Sequence, residues 1–145
     1  MKLLVSACLL GCACRYDGKS KPCDSVIALE KEHTLIPFCP EIYGGLPTPR
    51  VPSEVVGDAV INRDGKDVTA EYVRGAEESL AIAKALNCDA AILKSKSPSC
   101  GKGEIYDGSF SATLKSGNGI TASLFIDAGI PVFSEKEIDI LIAQK

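Results

Sequence analysis

The side chains with the most chemistry to offer in this 145-residue chain are its seven cysteines. Three stand out by position: Cys8 follows the apolar run 2–7, Cys39 follows the run 33–38, and Cys100 lies shortly after the run 89–94. Thiolates are soft ligands that readily hold zinc or an iron–sulfur cluster. Structural zinc ordinarily takes four ligands in close pairs. Cys12-Ala13-Cys14 is spaced too tightly for that pattern, and the lone His33 is a poor fourth ligand. A four-iron cluster held by only three cysteines would keep one iron open to substrate, and spacing alone does not choose between these options. A reduced cysteine is otherwise a small buried hydrophobe. That is the expectation for Cys88, which leads into an apolar strand with no polar motif about it.

Polar groups accompany each of the three. Glu41, two residues past Cys39, could act as a general acid or base beside a metal. Gly44 and Gly45 would let backbone approach a ligand closely, and the Arg50 fork could orient a carbonyl or carboxylate. Ser97 offers a hydroxyl beside Cys100, while Lys94 and Lys96 could lower a thiolate pKa or meet an anionic substrate. Around Cys8 the polar candidates are Arg15 and Asp17, and His33 reads as a surface or capping residue.

The elements that must position these groups alternate in type. Strands are expected over 2–7, 33–38, 89–94 and 131–133. Helices are expected over 25–32, capped by Asp24; over 69–86, ended by Asn87; over 120–128, closed by Gly129; and from a Ser134/Glu137 capping box to the chain end. Tyr72, Val73, Ala76, Leu80, Ala83 and Leu86 mark the buried face of the long helix. The Pro/Gly-rich segment 42–52 cannot be regular, and the Gly-rich stretch up to Gly108 reads as loop. Residues 55–68 suggest a hairpin or an irregular lid about Arg63-Asp64-Gly65-Lys66. Buried strands alternating with amphipathic helices indicate one α/β domain over 1–145, its mostly parallel sheet flanked by helices in a Rossmann-like arrangement. Such sheets place their sites beyond the carboxyl ends of the strands, where Cys8, Cys39 and Cys100 would all emerge.

Composition narrows the classes. A net charge of −3 without a long basic run argues against nucleic acid as the main partner. With no Trp and only four Phe and four Tyr, a base-stacking platform is also unexpected. No apolar run approaches the ~20 residues needed to cross a bilayer. The apolar start resembles an export signal, but five residues between Lys2 and Cys8 are too few for one. A cytoplasmic protein is expected, with reduced thiols serving as ligands or reactive groups rather than bridges.

Three ordered blocks then carry a resemblance that spans nearly the whole chain. Ser6-Ala7-Cys8-Leu9-Leu10-Gly11 with Arg15-Tyr16-Asp17-Gly18 is the first. Cys39-Pro40-Glu41 with Gly44-Gly45-Leu46-Pro47-Thr48-Pro49-Arg50 is the second, and Ser97-Pro98-Ser99-Cys100-Gly101 is the third. They resemble the signature of the thiouracil desulfidase (TudS-like) family, a small bacterial family long known only as a domain of unknown function. The resemblance implies a [4Fe-4S] cluster ligated by Cys8, Cys39 and Cys100, with Glu41 and Ser97 catalytic. It implies non-redox desulfuration of a thiolated pyrimidine base, with the sulfur captured by the open iron and an oxygenated base released. Arg15, Gly44, Gly45 and Arg50 become candidate contacts to that small-molecule partner. Cys12, Cys14 and Cys23 depart from the pattern, leaving open whether Cys12 or Cys14 replaces Cys8. The competing readings are a non-catalytic zinc-binding or thiol redox-sensing module, and a metal-free thiol enzyme that handles persulfide sulfur.

Overall fold

The computed structural model describes residues 1–143. Strands β1 (Lys2–Ser6), β2 (Thr34–Phe38), β5 (Ala90–Leu93) and β8 (Val132–Ser134) form one sheet in the order β2-β1-β5-β8, every pair parallel. All four residues of β1 after Lys2, and all of β5, are buried, because helices cover both faces of a parallel sheet. Successive side chains alternate between two cores. Leu3, Val5 and Ile92 face α1 (Asp24–Ile27) and α5 (Ile138–Ala143), packing on Val26, Ile138 and Leu141. Leu4, Ala91 and Leu93 face α3 (Thr69–Ala85) and α4 (Ile120–Asp127), packing on Ala83, Ala122 and Phe125. The α/β class and mostly parallel sheet match the expectation. The apolar N-terminal run is the central strand β1, and no helix is long and apolar enough to cross a membrane among the described residues.

Several details differ from the sequence reading. Asp24 is the first helical residue and Cys23 occupies the cap position; four α-helical residues then tighten into a 3₁₀ turn at Ala28–Lys31. Val73 on α3 and Leu86 just past its end are exposed, while Gly75 and Ser79 are buried. The reason is a close crossing with α2 (Pro40–Tyr43), a short helix within a stretch whose prolines argued against regular structure. A β-carbon on Gly44 would overlap the Glu71 carbonyl, and one on Gly75 would overlap the Pro40 carbonyl, so the two backbones touch. The hairpin is real, but β3 (Ser53–Val56) and β4 (Ala59–Asn62) turn at Gly57-Asp58, with Gly57 at φ 61°. Arg63 to Lys66 form a second turn, closed by Lys66 N–H donating to the Asn62 side chain at 2.9 Å. The Gly-rich stretch hides a further antiparallel pair, β6 (Glu104–Tyr106) and β7 (Leu114–Ser116), too short to show periodicity. The Ser134/Glu137 capping box is present and opens a 3₁₀ turn (Glu135–Glu137) running into α5; the expected continuation to the chain end lies outside the described residues.

Candidate active site

With β1 flanked by β2 on one side and β5 on the other, the chain reverses its direction of progress across the sheet beside β1. That switch point, at the carboxyl ends, is where open parallel sheets bind ligands. Three segments leave the sheet there. After β1, a 3₁₀ turn (Ala7–Leu10) carries Cys8 and is stopped by Gly11 at φ 101°. The Cys8 carbonyl accepts from Lys21 N–H at 2.9 Å, folding loop 12–23 back onto the turn. After β2, Cys39 caps α2 with Pro40 in the first helical position, where a missing N–H costs nothing. After β5, the turn 97–101 presents Cys100 and docks on α4, with Ser99 and Thr121 hydroxyls bonded at 2.8 Å and both side chains fully buried.

The three cysteines line one cavity of about 370 Å³, together with Glu41, Ser97, Arg15 and Arg50. Its outer wall comes from the two hairpins, which Glu54 ties together by accepting Gly108 and Phe110 N–H at 2.9 and 3.1 Å. Cys14, buried, also lines it. Cys12 is exposed, Cys23 is partly buried against the core, and neither they nor Cys88 reach the cavity wall. The structure thus narrows the question of extra thiols to Cys14, whose thiol hydrogen-bonds both Cys39 and Cys8. Cys39 favours Cys14 ionisation, but Cys8 and burial override it and push Cys14 up to about 12. Sharing a proton with Cys14, and then burial, raise Cys39; burial pushes Cys100 up to about 12 against the hydroxyls of Ser6 and Ser99. Protonated thiols of this kind are poor nucleophiles. They suit a soft metal centre that displaces their protons on binding. Thiols delivered to one cavity wall by three separate segments are the soft ligands that a multi-iron group takes.

Glu41 is held by partners distant in sequence. Its Oε2 accepts from Arg50 Nε at 2.9 Å, from the Tyr72 hydroxyl at 3.2 Å, and pairs with Arg50 Nη2 at 2.7 Å. Arg50 and Glu41 side chains are only 6% and 13% exposed. Burial weakens the Arg50 charge, but Glu41 and then Cys39 more than compensate and hold the guanidinium above its ordinary range. Burial, followed by the Glu41 carboxylate, pushes the Tyr72 phenol well upward, so it remains a donor. Arg50 lines the cavity, where the sequence places it as a substrate contact, and it also braces the protein itself. Nη1 is bonded to the Pro47 carbonyl and Thr48 Oγ1, both at 3.2 Å, so each guanidinium nitrogen has a protein partner. Gly44 and Gly45, by contrast, are not at the cavity: Gly44 permits the α2–α3 crossing, and Gly45 turns the chain at φ 94°. Arg15 does line the cavity, stacked 5.6 Å over Tyr16 and 3.7 Å from Asp17.

Ser97 is held locally. Its Oγ accepts backbone N–H from Ser99 at 3.1 Å and from Cys100 at 3.0 Å, so its remaining capacity is to donate. Lys94 is engaged with Glu135 at 3.1 Å, and Lys96 sits on the cavity wall at φ 67°. His33 is buried at the amino end of β2, 3.2 Å from the terminal amine and far along the strand from the cavity. Sequence reasoning placed Tyr72 only on an apolar helix face; the available signal was that a buried phenol needs a hydrogen-bond partner.

Comparison with known proteins agrees with this architecture. A solved structure of a [4Fe-4S]-dependent thiouracil desulfidase, TudS, superposes with a TM-score of 0.93 at 47% identity, over 99% of this chain and 96% of that one. The uncharacterized protein YbbK of Bacillus subtilis (strain 168) is 42% identical over 147 residues, covering 94% of this chain and 97% of its own. The sequence model of the 2-thiouracil desulfurase family matches residues 3–137, and the chain belongs to that family.

Proposed function

We propose that this protein is an iron–sulfur-dependent desulfidase that hydrolyses the thiocarbonyl of a thiolated pyrimidine base or related thioamide. Thiocarbonyl and water give carbonyl and hydrogen sulfide, with no net electron transfer. The observation that carries the proposal is the gathering of three cysteines, a carboxylate and a hydroxyl around one cavity at the sheet's switch point. Family membership and the named activity of the TudS neighbour support it.

Cys8, Cys39 and Cys100 would hold a [4Fe-4S] cluster, and such a group supplies a soft Lewis-acid iron that polarises a carbon–sulfur bond. The chain's own residues handle the protons. Glu41 takes a proton from the incoming water through the oxygen that Arg50 and Tyr72 leave free. Ser97 donates its hydroxyl hydrogen into the cavity, since its oxygen already accepts two amides. Arg15, beside Tyr16 at the wall, orients the base. A cytoplasmic setting, in which thiols stay reduced, suits this chemistry.

Anaerobic purification with metal analysis, followed by incubation with 2-thiouracil and with 4-thiouracil, tests the proposal. About four irons per chain, loss of the thione absorbance and stoichiometric sulfide release are expected. Stoichiometric zinc without iron would favour the zinc module and overturn the desulfidase. Iron-loaded protein inert towards both bases would overturn the substrate class.

A further inference from the structure

We infer that Tyr72 and Arg50 are positioning residues for Glu41, clamping one carboxylate oxygen so that the other is aimed into the cavity. The inference rests on the reading of Glu41 as the group that handles protons.

Three donors converge on Oε2 and none of them on Oε1. Two come from Arg50, nine residues along the chain, and one from Tyr72, thirty-one residues away on α3. A glutamate has three rotatable side-chain bonds, and a cavity of this size leaves it room to swing. Converging donors remove that freedom. The clamp is itself anchored at both ends. Arg50 is fixed by the Pro47 carbonyl and Thr48 Oγ1 of its own loop. Tyr72, 2% exposed, belongs to the helix that meets α2 at the Gly44–Gly75 contact. That contact brings the carboxylate of one helix within reach of the phenol of the other. Tyr72 also packs on Val55, Val60 and Ile105, beneath the hairpins that wall the cavity. The carboxylate's position is therefore coupled to that wall as well as to the sheet. Groups of this type must be held to about 0.5 Å for efficient catalysis, and a 1 Å misplacement can cost about a hundredfold in rate.

The test uses the iron-loaded protein. Tyr72→Phe keeps the ring and removes only the hydroxyl. It should lower kcat about tenfold to a hundredfold, with KM, iron content and cluster absorbance unchanged. Arg50→Lys, which keeps the charge but not the fork, should lower kcat in the same way without shedding iron. In a Glu41→Gln background, Tyr72→Phe should produce no further loss, because the proton acceptor that it aims is gone. Wild-type kcat in Tyr72→Phe, with kcat lost in Glu41→Gln, would overturn the clamp and leave the role of Glu41 standing. Undiminished kcat in Glu41→Gln would instead overturn that role. Equal losses from Tyr72→Phe in both backgrounds, or a change in KM alone, would show that the phenol acts independently of Glu41 and overturn the inference.

Discussion

Two strand-end segments line the cavity, and each brings one cysteine and one polar side chain, a carboxylate or a hydroxyl, around a proline. Cys39-Pro40-Glu41 follows β2, and Ser97-Pro98-Ser99-Cys100 follows β5. They achieve order by opposite means. Glu41 is fixed by charge and by residues nine and thirty-one positions distant, while Ser97 is fixed by amides two and three positions ahead. The first arrangement separates functions: the Cys39 backbone is set by the start of α2, and the carboxylate is set by Arg50 and Tyr72. The second fuses them, because the Ser97 hydroxyl on the cavity wall also organises the turn bearing Cys100. Perturbing the hydroxyl should therefore disturb the proposed ligand Cys100, whereas perturbing the carboxylate should leave Cys39 in place.

The largest expected effects lie at the thiols the two segments share with the Cys8 turn. Cys8→Ser, Cys39→Ser and Cys100→Ser should each reduce iron to background after anaerobic reconstitution, while Cys88→Ser keeps a full complement. If Cys14→Ser strips iron as completely and Cys8→Ser does not, the ligand passes from Cys8 to Cys14. Next, Glu41→Gln should keep its iron and lower kcat by about 10² to 10⁴, the usual weight of a general base.

Stability separates the two segments further. Arg50→Ala leaves a buried carboxylate without its partner and should cost about 3–5 kcal/mol in chemical denaturation. Ser97→Ala removes an acceptor of two amides, comparable to losing a helix cap, and should cost about 0.5–2 kcal/mol. Ser97→Ala should also release iron faster to a chelator than Glu41→Gln does. Equal chelation rates would collapse the distinction between the segments.

The smallest effect concerns the support behind the second segment. Glu135 accepts Ser95 N–H at 2.8 Å and pairs with Lys94. Burial raises its pKa, but the Ser95 amide and Lys94 outweigh burial and hold the carboxyl below its ordinary range. Because its native pKa is depressed, this stabilisation is fully present above the ordinary glutamate value. It is lost as pH falls through the native one. Glu135→Gln should therefore lower stability by at most about 1 kcal/mol near neutrality, and by nothing in acid below both values. A stability difference that persists there would refute the ionic origin.

Much of the frame was legible because it is local. The strands 2–7, 33–38, 89–94 and 131–133 show as short apolar runs, and the long helix shows as a 3.6-residue pattern with Asn87 at its end. The strands β6 and β7 escaped because three residues carry no period, and α2 escaped because its prolines and glycines looked like loop. Val73 and Leu86 misled for a related reason. Apolar type sets which residues can be buried, but the Gly44–Gly75 crossing turned the helix to bury glycine and serine.

By itself the sequence determined which groups this protein possesses and at which ends of which strands they stand. Cys8, Cys39 and Cys100 each follow an apolar run, and in a parallel sheet the carboxyl ends share one edge. Only the tertiary structure decided what those groups do to one another. It put Gly44 and Gly45 off the cavity wall, Gly44 at the α2–α3 crossing, and paired Arg50, on that wall, with Glu41. It brought Cys14 into the cavity and left Cys12 and Cys23 outside. It also gave Tyr72 a partner thirty-one residues away. A hydrogen bond depends on ångström distances between side chains that only packing brings together, and no spacing along the chain encodes that meeting directly.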